Sequence, residues 1–285
     1  MELQKDWRRF RACLANMGTG VIRLGRRLTL MTHPAKQRRR ERRNVKQDHA
    51  HVLITGAGRE GALGFALVQR YLEHGDEVIA CSRKRSPELE RLGEAWGDRL
   101  HVLILDVART DSVEAGARQA AAWVPSLETV INNAVTTSPD TGKELEDANL
   151  DDIPDVVNVG AVGPLRVVKA FLPLLRETQD MGLIVNISSE AGSIGKCYRT
   201  TGLDYGMTKA ALNMATVTLH NTFAREPKLN VFCVHPGWVQ TKPENAAAPF
   251  RSYDQAEVLR ELFETKRYDK TGPRFVTYEG KAYPW

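Results

Sequence analysis

The 285-residue chain has four cysteines, Cys13, Cys81, Cys197 and Cys233, and no C-x-x-C pair among them. That spacing argues against a zinc ribbon, a thioredoxin-like redox site or a disulfide scaffold. Cys81 and Cys233 fall in apolar segments and are expected to be buried, reduced thiols of an intracellular, cytoplasmic protein. The seven histidines are scattered without metal-ligand spacing, so no metal is expected. No uninterrupted run of 18 apolar residues occurs, which on length excludes a membrane-spanning helix. Solenoid-type repeats are missing, and no long linker divides the chain after residue 50.

The body also lacks a basic excess. Residues 1–50 hold 14 Lys and Arg against 4 Asp and Glu, whereas the remainder holds 26 against 31. The net charge of +5 therefore resides in a tail, residues 1–49, and the body offers no nucleic-acid surface. The tail carries Arg38-Arg39-Arg40-Glu41-Arg42-Arg43. It reads as a disordered or partly helical extension, with an organelle-targeting segment or an anionic-surface patch as alternatives. Met31 also permits a later start of translation.

From His51 onward, short apolar runs alternate with helical patterns. The runs are Val52-Leu53-Ile54, Val78 to Cys81, Leu100 to Leu105, Thr129 to Ile131, Leu183 to Ile187 and Leu229 to Val234. Near-continuous apolar strands separated by amphipathic helices indicate a parallel sheet covered on both faces. Right-handed crossovers make this an α/β fold, a single Rossmann-type doubly wound sheet spanning residues 50–285.

Gly56, Gly58 and Gly61 satisfy G-x-G-x-x-G between the first strand and a helix. Glycines there permit a tight turn and close approach to a pyrophosphate. At the end of the second strand, where an acid usually binds ribose hydroxyls, the chain has Ser82-Arg83-Lys84-Arg85. Arg83, with Arg59 of the glycine loop, suits a 2′-phosphate, so NADP(H) is expected in preference to NAD(H), which stays possible. Tyr205 and Lys209 are four residues apart, on one helical face. An ammonium beside a phenol favours the phenolate, so a Tyr205 pKa below its usual value is expected. Ser189 ends the fifth apolar run. Ser188 beside it points the opposite way along a strand, and Tyr198 lacks a lysine partner.

This ordered set resembles the short-chain dehydrogenase/reductase family. The resemblance includes the glycine loop, Leu105-Asp106-Val107, Asn132-Asn133-Ala134, Asn158, Ser189, Tyr205, Lys209, and Pro236-Gly237 with Thr241. Gly163-Pro164-Leu165, His235-Pro236-Gly237-Trp238 and Pro273 to Trp285 are similar to its C-factor/sniffer-like carbonyl reductase subgroup. The resemblance implies a catalytic tetrad of Asn158, Ser189, Tyr205 and Lys209. It implies cofactor contacts from Gly56, Gly58, Arg59, Gly61, Ser82, Arg83, Asp106, Val107, Asn132, Ala134, Pro236, Gly237 and Thr241, together with Tyr205 and Lys209. The implied activity is hydride transfer between nicotinamide and a small carbonyl or alcohol substrate, in a homodimer or homotetramer. Two features depart from the pattern: Glu60 and Ala62 stand at the later glycine positions, and Val135 follows Ala134 in place of glycine. A cofactor-binding signalling protein with little turnover is the alternative reading, and an enzyme tethered through its tail is a third. Trp238 to Glu264 is expected to form a mobile lid over an apolar, fairly small site.

Overall fold

The computed structural model describes residues 49–242 and 245–285. The basic tail, and with it Cys13, lies outside the described residues, as do Pro243 and Glu244. The described residues belong to one unit, Gln47–Trp285.

Seven strands form a parallel sheet: β1 (His51–Thr55), β2 (Glu77–Ser82), β3 (Leu100–Ile104), β4 (Thr129–Asn132), β5 (Gly182–Ile187), β6 (Leu229–His235) and, near the end of the chain, β9 (Phe275–Thr277). Their order is β3-β2-β1-β4-β5-β6-β9. The strands are rich in β-branched residues and β1 is buried throughout, as a sheet covered on both faces requires. The period of two divides the core into halves. Val52 and Ile54 pack on one side with Leu67 and Phe263, while Leu53 and Ile79 pack on the other with Phe171. Each such fully buried side chain contributes at most about 1.5–3 kcal/mol.

The helices are α1 (Leu63–His74), α2 (Pro87–Trp96), α3 (Thr110–Ala120), α4 (Ile153–Val157), α5 (Gly163–Glu177), α6 (Leu203–Thr222) and α7 (Ser252–Lys266). Local signals set their ends. Ser86 caps α2 by accepting from the Leu89 amide, with Pro87 in the first turn. Gly75 closes α1 at a φ of 103°. Between α4 and α5 lies a π turn, Asn158–Val162, a feature often found at functional sites.

Two expectations change. The stretch Leu150–Glu177 reaches a mean hydropathy of 1.3 over an 18-residue window and is by length and composition able to cross a membrane. The exclusion on uninterrupted apolar length was therefore too strong. Val167, Val168, Phe171 and Leu175 of this stretch are buried in the core beside the sheet, which gives its apolarity a packing role. Nor is Trp238 to Glu264 a lid as a whole. Leu259 and Phe263 of α7 are fully buried, and this helix packs along α1. Before it, Val239–Gln240 (β7) and Phe250–Arg251 (β8) form a small two-stranded sheet. Cys81 and Cys233 are buried free thiols, and Cys197 is an exposed one.

Candidate active site

Strand order reverses between β1 and β4, and the loops leaving these strands border a crevice at the carboxyl edge of the sheet. Thr55 ties the two loops together: its hydroxyl accepts from the Asn133 and Ala134 amides at 3.0 and 3.1 Å. The Asn133 side-chain amide donates to the Thr55 and Gly56 carbonyls at 3.0 and 3.2 Å. Gly56 has a φ of 69°, and a Cβ there would fall 2.7 Å from the Ala134 Cα. A Cβ on Gly58 would meet the Ser82 Cβ at 2.7 Å. Gly61 also has positive φ, but the space around it is open. The close approach of helix to loop belongs instead to Gly64, where a Cβ would sit 2.5 Å from the Gly56 carbonyl oxygen. The departures in the glycine loop are thereby accommodated. Glu60 lies in solvent, 3.8 Å from Arg91, and Gly64 supplies the packing position.

The other expected cofactor residues line the same edge. Ser82 donates to the Lys84 carbonyl at 2.6 Å and shapes the turn after β2. Arg59 and Arg83 are exposed, while Arg85 is held by Glu90 at 2.8 Å. After β3, the Asp106 carboxylate accepts from the Ala108 amide at 3.0 Å, and the Val107 carbonyl accepts from Arg166 at 3.3 Å. Asn132 donates to Asn186 on β5 at 2.8 Å, and its own side-chain oxygen is buried without a partner. Gly237 turns the chain after β6 with a φ of 84°. The Pro236 carbonyl accepts from Gln255 of α7 at 2.6 Å. The Thr241 hydroxyl accepts from Asn245 at 3.4 Å. The two crowded glycines and the orphaned Asn132 oxygen form a cradle that fits a dinucleotide.

Tyr205 and Lys209 share one face of α6, and the Lys209 ammonium lies 5.5 Å from the centre of the Tyr205 ring. Lys209 is 3% exposed and donates to the Ile187 carbonyl at the end of β5 at 2.7 Å. Burial lowers its pKa to about 8. Tyr205 moves opposite to expectation: burial lifts the phenol above its usual value. Hydrogen bonding with Ser189 and the Arg199 charge oppose that rise, and the Glu190 charge adds to it. Next to Ser189, Ser188 faces away and donates to Asn213 at 2.6 Å. Asn158 begins the π turn, and its amide donates to the Ala108 carbonyl at 3.4 Å. It is thus turned toward the loop after β3 and not directly onto Lys209. The π turn lies against α6, since a Cβ on Gly160 would meet the Thr208 methyl at 2.4 Å.

Several working residues escaped the sequence reading. Buried Asp204, just before Tyr205, accepts from the Ser138 amide at 2.8 Å and the Thr141 hydroxyl at 2.7 Å. It fixes the start of α6 against the loop after β4, and its adjacency to Tyr205 is a usable sequence signal. Gly192 lets the turn after Ser189 rest on α6, because a Cβ would lie 2.7 Å from the Lys209 backbone carbon. The Glu190 carboxylate accepts from Ser189 and from Arg199. His235, which the sequence did mark through His235-Pro236-Gly237-Trp238, ends β6, accepts from the Glu190 amide at 3.3 Å and faces the Tyr283 ring at 5.7 Å. Among the described residues, no group of three or more His, Cys, Asp or Glu could hold a metal ion.

A doubly wound parallel sheet with a glycine cradle at its switch point, beside a Ser-Tyr-Lys group whose serine and lysine are buried and whose tyrosine is half-buried, defines the class of dinucleotide-dependent oxidoreductases. The short chain dehydrogenase family model matches residues 50–251, and the chain belongs to that family. It is 31% identical over 251 residues to the short-chain dehydrogenase RED3 of Pyricularia oryzae, covering 82% of this chain and 98% of that one. It is 30% identical to the C-signal protein of Myxococcus xanthus, over 56% of this chain and 93% of that one. Among solved structures, an NADPH-bound carbonyl reductase from chicken fatty liver superposes with a TM-score of 0.73 at 28% identity, covering 84% of this chain and all of that one. The carbonyl reductase Sniffer of Drosophila melanogaster gives a TM-score of 0.76 at 25% identity, covering 83% of this chain and all of that one.

Proposed function

We propose that this chain is an NADP(H)-dependent reductase of small carbonyl compounds, with Tyr205 as the proton donor. The observation that carries the proposal is the joint placement of Tyr205, Ser189 and Lys209 at the sheet edge bordering the glycine cradle. Gly56, Gly58, Asp106, Asn132 and the exposed Arg59 and Arg83 would hold the dinucleotide. When bound, it supplies the hydride. Tyr205, whose phenol stays protonated at neutral pH, hands its proton to the substrate oxygen. Lys209, charged and buried, stabilises the phenolate left behind and holds the ribose side of the pocket. Ser189 orients the phenol, and Asn158 links the site to the loop after β3. Preference for the phosphorylated cofactor is supported by the missing acid after β2, where the exposed Arg83 suits a 2′-phosphate.

The exposed apolar residues Val162, Leu165, Met207 and Met214 on and beside α5 and α6 support self-association through these helices. Fluorescence titration is expected to give tighter binding of NADPH than of NADH; tighter NADH binding overturns the Arg83 argument. A panel of aldehydes and ketones, followed through NADPH loss, is expected to show turnover. Tyr205→Phe is expected to lower that turnover by at least about 10²–10⁴-fold.

A further inference from the structure

Proton transfer from Tyr205 does not require an acid beside Ser189, yet Glu190 turns its carboxylate back onto that hydroxyl. The carboxylate accepts hydrogen bonds from both the Ser189 hydroxyl and the Arg199 guanidinium. A serine hydroxyl owns one proton. While Glu190 holds it, Ser189 cannot also donate to a substrate oxygen next to Tyr205. A fixed negative charge there also opposes the growth of negative charge on that oxygen. Arg199 acts in the opposite sense, since it neutralises the carboxylate. The partners differ in exposure: 20% of the Glu190 side chain is accessible, against 37% for Arg199. Arg199 lies between the turn Glu190–Gly192 and α6, in a stretch without helix or strand.

We propose that Glu190 restrains proton donation at Ser189 and Tyr205, and that Arg199 relieves the restraint by neutralising Glu190. Both are positioning residues that act through Ser189 and Tyr205. The groups facing Glu190 come from every neighbouring element: Ser189 from the end of β5, Arg199 from the loop before α6, and Tyr205 from α6. His235 approaches from the end of β6, 3.8 Å from the carboxylate, and Tyr283 from the segment after β9. Lys209 adds its charge beside the Tyr205 ring. The Glu190 carboxylate is itself held below its usual range: burial pushes it up, but Ser189, Arg199 and His235 outweigh that effect. It is therefore ionised at neutral pH, where it accepts the hydrogen bond that the Ser189 hydroxyl donates.

If the Glu190–Arg199 pair only anchored the loop, replacing either partner would harm the site in the same direction. The restraint reading demands opposite directions. Single-turnover carbonyl reduction is compared in full-length wild type, E190Q, R199A and the double variant. E190Q is expected to react about tenfold faster or more, since a correctly aimed oxyanion donor is worth about 10²–10³-fold. R199A is expected to be slower by several fold, and the double variant to match E190Q. In parallel, phenolate absorbance is titrated by difference against Y205F. Tyr205 is expected to ionise at lower pH in E190Q and at higher pH in R199A. Slower reaction in both single variants overturns the proposal, as does a Tyr205 titration that moves the same way in both or not at all. The kinetic arm rests on the reductase reading and the titration does not. A protein without carbonyl reduction would fail that reading, while the titration still decides the restraint.

Discussion

Replacing Lys209 with methionine is expected to remove catalysis and at the same time stabilise the protein without its cofactor. Burial holds the Lys209 pKa at about 8 against 10.5 in a free side chain. The difference, 10.5 minus 8, is 2.5 units. At 1.36 kcal/mol per unit, charging Lys209 costs the folded state about 3 kcal/mol at pH 7. The side chain is almost wholly buried, so solvent screening removes little of this. The hydrogen bond to the Ile187 carbonyl, which methionine cannot make, offsets about 1.5–2 kcal/mol of the gain. K209M is therefore expected to be more stable at pH 7 by about 1–2 kcal/mol, raising the melting temperature by about 2–4 °C per kcal/mol. Above pH 8 the folded wild type releases the proton while the unfolded chain retains it up to pH 10.5. Wild-type stability consequently rises across that window and the advantage of K209M disappears. Urea unfolding of both proteins at pH 7 and pH 10 measures the effect. A K209M that is less stable at pH 7, or a gap that ignores pH, would refute the idea of a charge strained by burial. Such a residue is kept for chemistry, with stability given up at the site.

Other outcomes follow from the same structure. Gly64→Ala drives a Cβ against the Gly56 carbonyl and is expected to cost about 1–3 kcal/mol and weaken nucleotide binding; Gly93→Ala, with open space around it inside α2, is expected to stabilise by about 0.4–1 kcal/mol in the same thermal assay. Arg267 is buried and donates to the Glu128 and Met181 carbonyls, the Thr129 hydroxyl and Glu264. Its replacement by alanine is expected to cost about 3–5 kcal/mol in urea unfolding. Burial raises the Glu128 pKa, but hydrogen bonds from His51, Ser126 and Thr178 overcome this and hold it at about 2. Its contribution, about 3 kcal/mol from 2.5 units below the ordinary 4.5, is complete above pH 4.5 and fades toward pH 2. Acid titration of unfolding in wild type and E128Q is expected to show their difference shrinking across that window.

The strands were legible because a sheet covered on both faces demands near-continuous apolar runs, and Val52-Leu53-Ile54 or Leu183 to Ile187 can be little else. The glycine loop and the Tyr205–Lys209 pair were legible for the same kind of reason, since each depends on spacing within one element. Less legible was the role of Gly64, because close packing against Gly56 is a contact between a helix and the loop before it. Trp238 to Glu264 read as a lid from its position in the chain, after the turn that follows the sixth apolar run. Only packing reveals that Leu259 and Phe263 belong to the core.

By itself, the order of apolar runs, glycines and the Ser-Tyr-Lys set determined the fold, the cofactor edge and the family, because backbone period and turn chemistry are local properties. The tertiary structure alone decided the charge environment of Tyr205. The phenol lies above its usual value because burial, with Glu190 adding, outweighs the Ser189 hydrogen bond and the Arg199 charge. Burial depends on which elements close over a residue, and chain neighbours do not reveal it.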